Sequence, residues 1–198
     1  MEKISKSIEI GGKPFTLETG TVAFQATSAV LGRMGDTMVL VTIVVSSKRS
    51  DLDYFPLTVE YVERLYAGGR IKGSRWVKRE GRPSDEAILT ARLIDRSIRP
   101  LFPKDFKNEV QVVVTVLSVD GENDPDIVAL LTTSSALASS SIPWNGPIGS
   151  VRIGRVVSGK PREAGENEVM PAGKQGQFLV NPTAAQRASS DLDLVVSN

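Results

Sequence analysis

The sequence predicts an α+β domain, a mixed β-sheet packed with helices. Three observations carry this expectation. Strand-like runs rich in Val, Ile and Thr fill the first sixty residues and return after residue 108. Two stretches with apolar residues at helical spacing interrupt them, opening at Ser84 and Asp124. Strands therefore precede and follow a pair of helices instead of alternating with them one for one.

The elements follow in order. "SIEIGGKPFTLETG" holds two short strands around Gly11-Gly12, a hairpin signal. "ATSAVLGRMGDTMVLVTIVVS" holds a second pair turning near Gly32–Asp36, and the β-branched run Val39–Val45 reads as a buried central strand. In "FPLTVEYVE", Leu57, Val59 and Tyr61 alternate with Thr58 and Glu60. Residues 64–83 then lose periodicity and are glycine-rich, long for a connection inside a compact domain.

The first helix has Ser84 as its cap, with Asp85 and Glu86 suited to the positive end of its dipole. Ala87, Ala91, Ile94 and Ile98 form its buried stripe, and Pro100 ends the pattern. Arg92, Arg96 and Arg99 recur at i, i+4 and i+7 on another face. "NEVQVVVTVLSVD" is a second buried strand. "NDPDIVALLTTSSALASSS" is a second helix, with Asp124 as cap and Pro125 at its first position. Residues 148–196 read as strands separated by an insertion at 158–176, and the ending "LDLVVSN" suggests a fragment of something longer.

The 198 residues suit one domain. Net charge is +1, yet twelve of the 24 cations lie in residues 64–107 against five acids, a focused field that suits a polyanion. There is no histidine, which removes His-based acid–base catalysis and the usual Ser-His-Asp triad. There is no cysteine, hence no disulfide, thiol nucleophile or cysteine zinc site. No apolar run is long enough for a signal peptide or a bilayer span, and the expectation is a cytoplasmic protein without a membrane partner.

Within "SRWVKREGRP", Arg75, Lys78, Arg79 and Arg82 surround Trp76. A glycine-rich loop lets backbone approach a ligand, and a tryptophan can stack on an unpaired base. Arginines aligned on one helix face repel each other unless carboxylates or an anion lie between them. Asp95 and Glu86 are near enough to serve, and phosphate is the other answer. The acidic turn "DGENDPD" lacks EF-hand spacing and reads as helix-capping. "TTSSALASSS" has hydroxyls but no base, and reads as packing. "NGPIG" reads as turn chemistry. The residues thus point to a basic, aromatic surface for single-stranded nucleic acid, without a complete catalytic constellation.

"YAGGRIKGSRWVKREGRPSDEAILTARLIDRSIRPLFP" resembles a stretch of bacterial polynucleotide phosphorylase. So do "IEIGGKPFTLETG", "NEVQVVVTVLSVDGENDPDIVAL", "SSIPWNGPIGSVRIG" and the closing "LDLVV". The match runs in order over nearly the whole chain, apart from the insertion. The resemblance implies a ribonuclease PH-like core domain over residues 1–198, similar to the ribosomal-protein domain-2-like β-α-β fold. It implies an enzyme that degrades RNA from the 3′ end with inorganic phosphate as co-substrate, releasing nucleoside diphosphates. It further implies a homotrimeric ring with a central channel, and other RNA-degradation proteins as partners. This chain matches the first of two core domains. The family's catalytic aspartates, catalytic lysine, phosphate-binding serines and Mg2+ belong to the second, so no catalytic residue is expected here.

In that family the loop equivalent to Ser74–Arg79 grips RNA at the channel aperture through a Phe-Phe-Arg-Arg motif. Here Trp76 and Val77 stand for the aromatics, and Lys78 and Arg79 for the arginines. Residues 64–83 are then the RNA-gripping loop, with Trp76, Lys78, Arg79 and Arg82 as RNA contacts. Arg92 and Arg96 match arginines that face a neighbouring catalytic site, where with Arg99 they contact phosphate or the RNA 3′ end. The rival readings are a free-standing ribonuclease PH-like exonuclease and a non-catalytic RNA-binding ring subunit.

Overall fold

The computed structural model describes residues 3–71, 73, 81–156 and 176–198. Its first sheet has six strands: β1 (Ile4–Ile10), β2 (Lys13–Thr19), β3 (Ser28–Met34), β4 (Thr37–Arg49), β5 (Leu57–Val62) and β6 (Asn108–Ser118). Their order is β1-β2-β3-β4-β6-β5. The first four form an antiparallel meander, whose first turn needs Gly11 and Gly12 because both have positive φ, 60° and 79°. β6 enters between β4 and β5, antiparallel to the former and parallel to the latter. The sheet is therefore mixed, as expected.

Helix α1 (Asp85–Ile98) connects β5 to β6, and helix α2 (Pro125–Ala138) follows β6. Both pack on one face of the sheet. Alternation along the strands supplies that face: Val39, Val41 and Ile43 of β4 and Val110, Val112 and Val114 of β6 are fully buried. α1 adds Ala87, Ile94 and Ile98, the stripe read from its spacing. α2 is buried almost all round, which explains its small residues. Gly32 of β3 faces Thr132 of α2 so closely that a Cβ there would lie 1.8 Å from Thr132 Oγ1.

A second sheet, ordered β8-β7-β9, follows from β7 (Ser150–Val156), β8 (Gln177–Val180) and β9 (Ser190–Ser197). The short helix α3 (Ala184–Ala188), absent from the sequence reading, sits between β8 and β9 behind a capping box of Thr183 and Gln186. Apart from residue 176, the predicted insertion lies outside the described residues.

The hydroxyls of "TTSSALASSS" do pack. Thr132 Oγ1 donates to Val128 O at 2.6 Å, and Ser134 Oγ accepts from Ile148 N–H at 2.9 Å. One expectation is corrected. Asp124 occupies the N-cap position of α2, but its side chain makes no capping hydrogen bond. Its carboxylate turns to two arginines instead: Oδ2 meets Arg152 Nη1 at 2.7 Å and Oδ1 meets Arg187 Nη2 at 3.0 Å. Charge-assisted bonds to two guanidiniums outweigh one bond to a backbone amide.

Candidate nucleic-acid interface

The site is built where β5 ends and α1 begins. The Ser84 hydroxyl accepts from Ala87 N–H at 3.0 Å and donates to Glu63 Oε2 at 2.8 Å. One hydroxyl thus caps the helix and ties its start to the end of β5. Between them, a 3-10 turn at Leu65–Gly68 closes through Gly69, whose φ is 67°. The Val119 N–H donates to Ala67 O at 3.0 Å, pinning this turn beyond the end of β6. It holds Tyr66 with its side chain exposed.

Two open grooves flank this corner. One, of about 680 Å³, is lined by Arg64, Tyr66, Arg70, Arg82 and Pro83 among others. The other, of about 400 Å³, runs between β5 and α1 and is lined by Thr58, Glu60, Ile88, Arg92 and Asp95. Arg82 is exposed beside the first groove, and Arg92 and Arg96 are exposed on α1. Among the described residues neither Arg92 nor Arg96 has an ion-pair partner. Trp76, Lys78 and Arg79 lie outside the described residues.

Arg99 stands apart from the other two. Its Nε donates to Asp95 Oδ2 at 2.9 Å and its Nη2 to Asp95 Oδ1 at 2.6 Å. Nη1 and Nη2 also reach Phe55 O and Leu57 O, at 3.0 and 3.1 Å. The Phe55 ring lies 5.8 Å from the guanidinium carbon. Asp95 is therefore committed to Arg99, which removes one of the two nearby carboxylates the sequence offered Arg92 and Arg96. Spacing alone did not separate the three, because Arg99's carbonyl partners, Phe55 and Leu57, lie just before and at the start of β5.

The acidic turn also resolves into structure. Burial pushes the Asp120 carboxyl up, but bonds from Asn123, Glu122 and Asp36 outweigh it and hold the group well below the usual carboxylate range. Its oxygens accept from the N–H groups of Asp36, Glu122 and Asn123, the Asn123 side-chain amide and the Thr37 hydroxyl. Among the described residues no three His, Cys, Asp or Glu side chains gather as metal ligands would.

The "NGPIG" turn packs against α1. Trp144 Nε1 donates to Ile98 O at 3.1 Å, and the Asn145 N–H to Leu101 O at 2.9 Å. The Trp144 ring lies so close to Gly146 that a Cβ there would meet it at 2.2 Å. This turn therefore braces the end of the helix that carries the arginines.

The architecture is that of a ribonuclease PH-like domain. An Archaeoglobus fulgidus exosome subunit, described as having RNA bound to the active site, matches 93% of this chain and 72% of its own, with TM-score 0.59 and 17% identity. Rice Rrp46 matches 94% of this chain and 80% of its own, with TM-score 0.60 and 13% identity. At the level of sequence, residues 11–143 match the 3′ exoribonuclease family, domain 1, and the chain belongs to that family. The polyribonucleotide nucleotidyltransferase of Heliobacterium modesticaldum is 53% identical over 96% of this chain, and that of Exiguobacterium sibiricum 49% over 96%. The chain spans about a quarter of the length of these relatives, 24% and 23%.

Proposed function

We propose that this chain is the first core domain of a phosphate-dependent 3′-to-5′ exoribonuclease, which holds single-stranded RNA while a second core domain carries the chemistry. The observation that supports it most is the 53% identity, over nearly the whole chain, to a polyribonucleotide nucleotidyltransferase. In phosphorolysis a phosphate oxygen attacks the terminal phosphodiester, the preceding ribose 3′ oxygen leaves, and a nucleoside diphosphate is released. Negative charge gathers on attacker and RNA alike, so exposed guanidiniums such as those of Arg92 and Arg96 are suited to hold it. The grooves beside Arg82, Tyr66 and Arg70 suit the strand leading to that point.

Magnesium, a homotrimeric ring, RNA-degradation partners and a cytoplasmic location belong to the same proposal. The whole protein, incubated with poly(A), phosphate and magnesium, is expected to release ADP. This chain alone is expected to release none above buffer. AMP in place of ADP would show hydrolysis, and ADP from this chain alone would overturn the division of labour.

A further inference from the structure

Where the β1–β2 hairpin, the start of α2 and the corner after β8 converge lies a small, partly open cavity. Lys13, Asn123, Asp124, Arg152 and Asn181 supply its polar lining. The cavity measures about 10 Å³, close to the least volume that admits one water molecule.

Asn181 is 6% exposed, and its backbone is held at a φ of 50°, which asparagine tolerates better than most residues. Its N–H donates to Arg152 O at 2.7 Å, and its side-chain Oδ1 accepts from the Arg152 N–H at 2.9 Å. Its own carbonyl accepts from Lys13 Nζ at 3.0 Å. The Oδ1 bond fixes which way the amide points, since a flip would set an NH₂ group against the Arg152 N–H. The side-chain Nδ2 is thereby left buried with no partner among the described residues. A buried amide donor without an acceptor is costly, and native interiors satisfy such groups with protein or water.

We infer that the cavity is a binding site for one structural water, which accepts from Asn181 Nδ2 and donates to the Asp124 carboxylate. Asp124 has the capacity: each of its oxygens takes one bond from a guanidinium, Arg152 on Oδ2 and Arg187 on Oδ1, and each keeps a lone pair. The Lys13 ammonium and the Arg152 guanidinium line the same space, which argues against a cation. The water joins two separate segments, while Lys13 holds Asn181 O and Asn123 Oδ1 directly from the hairpin side. It closes the polar contact between the second sheet and α2.

The test is a crystal structure of the whole protein at a resolution that shows ordered solvent. One peak is expected inside the cavity, at hydrogen-bond distance from both Asn181 Nδ2 and an Asp124 oxygen. Three results would each overturn the inference: an empty cavity, an Asn181 side chain rotated onto a protein acceptor, or a peak with the short contacts or anomalous signal of an ion. In crystals of Asn181→Asp, the acceptor replacing Nδ2 lets the water turn and donate, so the peak is expected to stay. Its disappearance, with the surrounding chain unmoved, would count equally against the assignment.

Discussion

Arg99 grips both oxygens of Asp95 from one turn further along α1, and its remaining donors hold the carbonyls of Phe55 and Leu57. This places it as the clamp between helix and strand. Arg99→Ala is expected to destabilise the domain by about 1–3 kcal/mol, the range for hydrogen bonds to charged groups at a half-buried site. Arg99→Lys is expected to recover little, since a lysine cannot span four acceptors. Chemical denaturation of the three proteins checks this. An Arg99→Ala variant as stable as wild type would return Arg99 to the ligand-binding set.

Arg92 and Arg96 give the opposite expectation. Neither has an ion-pair partner among the described residues. In the whole protein, changing both to Ala is expected to lower the proposed phosphorolysis while changing stability by less than about 0.5 kcal/mol each, as for surface positions generally. Loss of the fold or assembly in the double variant would show them to be structural.

The loop at Ser74–Arg79 lies outside the described residues, and its prediction rests on chemistry. Each phosphate contact to a single strand contributes about 0.7 to the slope of log K against log salt. Lys78→Ala with Arg79→Ala is expected to flatten that slope by about 1.4 units. Trp76→Ala is expected to weaken binding of oligo(A) by roughly 1–3 kcal/mol and leave the slope unchanged. Unchanged binding with a lowered melting temperature would make Trp76 a core residue.

Gly32 has no room for a methyl group against Thr132. Gly32→Ala is expected to cost about 1–3 kcal/mol, the range for overpacking a tight core. Thr132→Ala in the same chain removes the obstructing hydroxyl and is expected to restore part of the loss. A double-mutant cycle in urea reads the coupling directly.

Two aspartates near Arg152 respond oppositely to pH. Burial, and then the charge of Asp124, push the Asp126 carboxyl up. Such a group favours the folded state when protonated, and that contribution is lost as pH rises through its raised folded value. Hydrogen bonds from Arg152 hold Asp193 down, so its contribution is present at neutral pH and is lost as pH falls through its lowered folded value. At pH 7, Asp126→Asn is therefore expected to raise the melting temperature and Asp193→Asn to lower it. Both differences are expected to shrink on acidification. Equal responses of the two variants across pH would refute the assignment.

Much of the architecture was legible because its signals are local. The Gly11-Gly12 hairpin, the Ser84 cap and the stripe of Ala87, Ala91, Ile94 and Ile98 each follow from a few adjacent residues. What escaped depends on distant partners. Arg99 meets Phe55 and Leu57, and Asp124 meets Arg152, pairings that no spacing rule proposes. Helix α3 has five residues, too few for periodicity to show. Of the site, the basic helix face was readable, but Tyr66 and the grooves beside it come only from the way the Leu65–Gly68 turn is pinned.

The insertion of β6 between two earlier strands bears on how the chain is made. A ribosome delivers β4 and β5 well before residues 108–118 emerge. During that interval both strands present open edges, rich in valine, isoleucine and leucine, that can pair with the wrong neighbour. The meander of the first 49 residues can form as it is synthesised, but the valine-rich core beneath α1 must wait for β6. A nascent chain stalled before residue 108 therefore carries unpaired strand edges that invite misassembly.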